Sequence, residues 1–180
     1  MLDFNVLIEI GKEAKKSIKT DSDGNLIPGR LKQFIFHIFF TIIPLFAAST
    51  AWLWEVKLSD LKSYIGTGIA IFTGLFFSLL LNISAKIRIE KENVNKDASN
   101  FQAFKENMRQ ISNITQYIII LGILVLLIVL INSLVILDCV YIEKSFTSIA
   151  LFLLFRYFSC LFFMLQRFHF VLRDEISNIL

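Results

Sequence analysis

The chain has 180 residues, 56% of them hydrophobic, with a formal net charge of +3 and a mean hydropathy of +0.66. A composition this apolar rules out most soluble enzymes, and the length suits one compact membrane domain with modest flanks rather than a membrane domain plus a further globular one. The distribution of charge is more informative than its sum.

Residues 2–19 read as an amphipathic helix. Phe4, Leu7, Ile8, Gly11, Ala14 and Ile18 recur at helical spacing, and Lys12, Lys15, Lys16 and Lys19 gather on the other side. Such a helix either lies on an anionic leaflet with its apolar face down or packs against the rest of the protein's cytoplasmic side. Asp21 to Asn25, followed by Pro28-Gly29, is turn chemistry that ends it.

Four apolar stretches follow: Phe34–Trp54, Ile65–Ala85, Tyr117–Leu137 and Phe146–Phe168. About 20 helical residues match the hydrocarbon thickness of a bilayer. The first contains Pro44, which removes a backbone donor and predicts a kink that frees the Phe40 carbonyl. Trp52 and Trp54 mark its outer end, and Tyr64 opens the second span at the same level.

In the second span Gly66, Ala70, Gly74, Ser78 and Asn82 recur every four residues. A stripe of small side chains lets helix backbones approach closely in lipid, either within one subunit or between subunits. The segment 86–116 predicts a cytoplasmic helical hairpin. Phe101, Phe104, Met108 and Ile111 form its apolar seam, and Ser99 with Gln102 fits a capping box. That seam is a candidate docking surface for a soluble partner. Beyond the fourth span, Leu165, Phe168, Leu172, Ile176 and Ile179 continue a second seam.

The expected divisions are therefore 1–33, an amphipathic N-terminal segment; 34–85, a transmembrane hairpin; 86–116, the cytoplasmic hairpin; 117–168, a second transmembrane hairpin; and 169–180, a C-terminal helix. Lys12, Lys15, Lys16, Lys19, Arg30 and Lys32 precede the first span. Lys86, Arg88, Lys91, Lys96, Lys105 and Arg109 lie between the second and third, and Arg167 and Arg173 at the end. The opposite loops hold only Lys57, Lys62 and Lys144. By the positive-inside rule both termini and the 86–116 segment face the cytoplasm. The start of the chain carries no signal-peptide pattern, so the first span is the expected insertion signal.

Arg156 is the one charge near the middle of a span. A mid-span charge costs roughly 2.5–3.5 kcal/mol on insertion scales, which makes it a functional-site candidate. Expected partners are Asn132, Ser133, Thr41 or the freed Phe40 carbonyl. It is either a strut between helices or a water-facing charge, with Asn132, Asn82 and Pro44 as further gating candidates. His37 and His169 fall near the inner boundary, where they could pair as a proton-sensitive or metal-binding site, but interfacial filling is the expected role. Cys139 and Cys160 lie at different depths, so no intrachain disulfide is expected.

No phosphate loop, metal-binding His-Glu pattern or triad is present, so no catalytic, cofactor or metal residue is assigned. The basic residues are interleaved with acids and the cytoplasmic aromatics sit in seams, so direct nucleic-acid binding is not expected. The resulting expectation is an all-α integral membrane protein with four transmembrane helices, termini inward. It would be a non-enzymatic homo-oligomer of the inner membrane that senses or alters the bilayer and docks a soluble cytoplasmic partner. The alternatives are a small homo-oligomeric channel and, third, a membrane-embedded lipid enzyme.

In length, four spans, inward termini and a charged 86–116 loop, the chain resembles the small four-span membrane components of prokaryotic antiviral systems. These include the membrane subunit of Kiwa and the membrane accessory proteins encoded beside RNA-targeting CRISPR effectors. The resemblance is one of architecture and carries over no functional residue. It implies host defence: detection of a phage-induced membrane disturbance and relay to a cytoplasmic effector.

Overall fold

A computed structural model describes residues 4–20, 30–54, 56–92, 98–134 and 140–179, with side-chain surroundings for 5–20, 34–54, 56–58, 61–83, 85, 105–134 and 140–169. Its elements are α1 (Phe4–Lys19), α2 (Arg30–His37), a π-helical turn (Ile38–Ile42), α3 (Ile43–Leu53), α4 (Leu58–Glu92), α5 (Ala98–Leu134) and α6 (Val140–Ile179). Among the described residues there is no strand.

Four stretches are long and apolar enough to cross a membrane: Phe34–Leu53, Leu61–Ile83, Lys105–Leu134 and Val140–His169. Each overlaps a span expected from hydropathy, so the all-α, four-helix reading holds. The helices outrun the apolar runs because backbone hydrogen bonding continues where lipid-compatible side chains stop. The 86–116 segment is accordingly helical on both sides of 93–97, as the end of α4 and the start of α5.

The first span is assembled from α2, the π-turn and α3. It ends at Trp54, whose N–H bonds the Thr50 carbonyl at 2.9 Å, and Val56 N–H then reaches back to Ala51 at 3.3 Å. These bonds satisfy carbonyls that the end of a helix leaves open.

Contacts divide the chain into two compact units. One comprises Met1–Gly29, Phe76–Tyr117 and Leu161–Leu180. Its core holds Ala14, Ile18, Ile83, Met108, Ile111, Ile114, Leu161 and Met164, all buried. The C-terminal half of α1 is tied into it. Asn113 Nδ2 donates to Ser17 Oγ at 3.3 Å, and the Ser17 carbonyl accepts from Thr20 Oγ1 at 3.1 Å and Arg167 Nη2 at 3.4 Å. A guanidinium on the last turn of a helix meets both open carbonyls and the negative end of the dipole.

The other unit comprises Arg30–Leu75 and Ile118–Cys160. Leu58, Ile65, Ile69, Val125, Val129 and Ala150 form its buried cluster. In lipid, such packing is sustained by van der Waals contact and interhelical hydrogen bonds rather than by exclusion of water.

Candidate functional site at mid-span

The first span contains the irregularity that Pro44 predicts, in a form that α-helical arithmetic does not give. In a π-turn each N–H bonds the carbonyl five residues back. Ile43 N–H does so, bonding the Ile38 carbonyl. The next donor would be Pro44, which has none. The Phe39 carbonyl is therefore left open, one residue before the Phe40 carbonyl that α-helical spacing points to. Ser159 Oγ on α6 donates to the Phe39 carbonyl at 2.8 Å. The same hydroxyl lies 3.0 Å from the Phe155 carbonyl on its own helix. It has one hydrogen and therefore two alternative acceptors. Phe40 is buried and stacks on Phe36 with centroids 4.5 Å apart.

A second hydroxyl joins the same helix pair, with Ser148 Oγ donating to the Ala48 carbonyl at 3.2 Å. Pairs 39/159 and 48/148 set an antiparallel register. Arg156 falls level with Thr41 and Ile42, inside the π-turn's layer. Its residue is half-buried and its Nε is shut off from solvent, while Thr41 is exposed.

On the other side of α6, Gly122 is the close-approach point of α5. A Cβ built there would lie 2.9 Å from Thr73 Oγ1, 3.1 Å from Ile69 Cγ2 and 3.4 Å from Tyr157 Cε2. Tyr157 is fully buried. Its hydroxyl is turned toward that of Thr73, yet neither closes a hydrogen bond of regular geometry. Helix α6 thus carries Arg156, Tyr157 and Ser159 within one turn of each other, between a widened turn on one flank and a glycine contact on the other.

The remaining candidates are placed elsewhere. Gly122 against Tyr157, with Val129 and Ala150 in one cluster, puts Asn132 level with Thr147. That is about nine residues, or ~13 Å at helical rise, from Arg156. Asn132 and Ser133 are therefore not partners of Arg156, a correction to the sequence reading. Asn132 keeps its Oδ1 buried and unbonded. Asn82 is exposed, in the other unit. Along α4, Ala70, Gly74 and Ser78 are exposed and Gly66 is half-buried. A Cβ added at Gly66 or Gly74 would meet nothing within 4 Å.

Of the seam proposed for docking, Phe101 and Phe104 lie outside the described side chains. Met108 and Ile111 are buried in the core of the chain itself. As free docking residues these two are corrected: the apolar spacing that marked them serves internal packing. Among the described residues no group of three His, Cys, Asp or Glu is gathered to hold a metal. His37 and His169 are each exposed, in different units. Cys160 is a buried free thiol, and Cys139 lies outside the described residues.

Gly122, Thr73, Tyr157, Ser148 and Ser159 were not singled out from the sequence. The available signal was position: Gly122 is the sole glycine of the third span, and the others are hydroxyls in otherwise apolar surroundings. No family model, curated protein or solved structure matches this chain.

Proposed function

We propose that the protein is a non-enzymatic, oligomeric subunit of the cytoplasmic membrane, with both termini inward, that senses or alters the bilayer and engages a soluble cytoplasmic partner. The observation that carries this reading is the first span's π-turn, whose open carbonyl at Phe39 is held by Ser159. A sensor needs an element with two discrete arrangements that an outside influence biases unequally. A widened turn beside a proline, latched by a hydroxyl with a second acceptor one turn away, is such an element. π-Turns inside α-helices recur at functional sites.

The architectural resemblance to antiviral membrane components gives the reading a setting, in which phage-induced disturbance of the bilayer is the input. Purification of the tagged chain in mild detergent, followed by mass determination, tests it. A stoichiometric soluble companion on an oligomer of this chain is the expected result. A bare homo-oligomer that passes ions in liposomes would replace it with the channel reading. Fusions reporting an exported terminus would overturn the orientation.

A further inference from the structure

Helix α1 is covered along only half of its apolar stripe. Leu7, Gly11, Ala14 and Ile18 fall on one face of the helix. Ala14 and Ile18 are 0% and 5% exposed, whereas Val6, Leu7 and Ile8 are 48%, 37% and 57% exposed. The cover stops at Gly11, where an added Cβ would lie 3.8 Å from Tyr117 Cε2.

The direction of the uncovered half follows from its anchors. Ser17 is bonded to Asn113, and Gly11 faces Tyr117. From the first contact to the second, α1 climbs four residues of α5, about 6 Å, toward the apolar run. Tyrosine is a residue of the membrane–water boundary. The next two turns, back to Phe4, therefore run at headgroup depth.

The exposed charges beside that overhang are mostly basic. Lys12, Lys15 and Lys16 are exposed. On the other edge Glu13 is matched by Arg109 at 3.7 Å, leaving Glu9 as the exposed acid of the helix. Two turns of apolar side chain offer far less than the roughly 1,000 Å² that a specific protein interface needs. They suffice for an interfacial anchor when lysines add attraction to phosphate headgroups.

We infer that the N-terminal half of α1 binds an anionic lipid surface, with Val6, Leu7 and Ile8 in the headgroup–acyl boundary and Lys12, Lys15 and Lys16 on the phosphates. The C-terminal half stays docked on α5 and α6, so lipid composition at the leaflet bears on the helix whose Ala14 and Ile18 enter the core. The inference deepens the proposed bilayer-sensing role and rests on it only for the chain's being in a membrane.

The test uses the full chain carrying Trp52→Phe, Trp54→Phe and Leu7→Trp, reconstituted in phosphatidylcholine vesicles with and without phosphatidylglycerol, some of the lipid being brominated. Blue-shifted emission quenched by brominated lipid is expected in the anionic vesicles and weakly in the neutral ones. Lys12→Gln, Lys15→Gln and Lys16→Gln should each lower the inserted-to-free ratio about fivefold. These side chains are exposed, and helical circular dichroism confirms that the variants fold. Three results overturn the inference: emission from water in both lipids, equal quenching in both, or a shielded tryptophan that brominated lipid does not quench. The last would assign the face to protein. None of them depends on whether a soluble companion is recovered, so this inference and the proposed function fail separately.

Discussion

Ser159 Oγ donates across 2.8 Å to the carbonyl of Phe39, the acceptor that Pro44 leaves without its own donor. A serine on the last span thus completes the backbone hydrogen bonding of the first. Inside a bilayer no water is at hand to take its place.

Ser159→Ala should lower stability by about 0.6–1.7 kcal/mol, the range of interhelical hydrogen bonds in membranes. Pro44→Ala returns an N–H to the chain and should erase most of that loss. A double-mutant cycle by denaturant unfolding in detergent reads the coupling. Strict additivity of the two changes would mean that the hydroxyl does not serve this carbonyl.

Gly122→Ala forces a methyl group to within 2.9 Å of Thr73 Oγ1. Overpacking of this kind costs about 1–3 kcal/mol. Thr73→Ala, which removes the nearest atom, should recover part of it. Gly74→Ala, at a site open on all sides, should leave stability unchanged or slightly raised. Thermal unfolding of Gly122→Ala, Thr73→Ala, their double variant and Gly74→Ala in one detergent makes the comparison.

Gly74→Leu bears on assembly instead. The exposed stripe Ala70, Gly74 and Ser78 admits close backbone approach only while its side chains stay small. If copies meet there, the leucine variant keeps its helical circular dichroism and loses oligomer mass by light scattering in detergent. Unchanged mass would place the subunit contact on another face.

Arg156→Leu should reduce the yield of assembled protein and leave ion flux in liposomes at the background level. The residue is half-buried with Nε shut off from solvent, as befits an interhelical strut at the level of the π-turn. Normal assembly with altered flux would instead favour a charge lining a conducting path.

The four helices were legible because spans declare themselves by length and apolarity, two properties that each residue contributes independently. The α1 amphipathic pattern was legible for the same reason. What escaped was pairwise. Asn132 and Arg156 looked like partners as polar residues in neighbouring spans, but antiparallel register separates them by about nine residues. Met108 and Ile111 carried the period of an apolar face, and a period does not say which neighbour covers it. Ser159 could not be matched to Phe39 from the sequence, since the open carbonyl moves by one position when the turn widens. Gly122 had a weak signal in its isolation within a span, whereas the more regular stripe on α4 drew attention and proved uncovered.

The widened turn also fixes how the first span meets its surroundings. It uses one more residue than an α-helix would over the same rise, so the halves before Ile38 and after Ile42 differ in phase by about 100°. A helical wheel drawn through the whole span assigns the wrong side to everything beyond the bend. Deleting one residue between Ile38 and Ile42 would restore regular winding and swing Leu45, Phe46 and Trp52 away from the sides they now occupy.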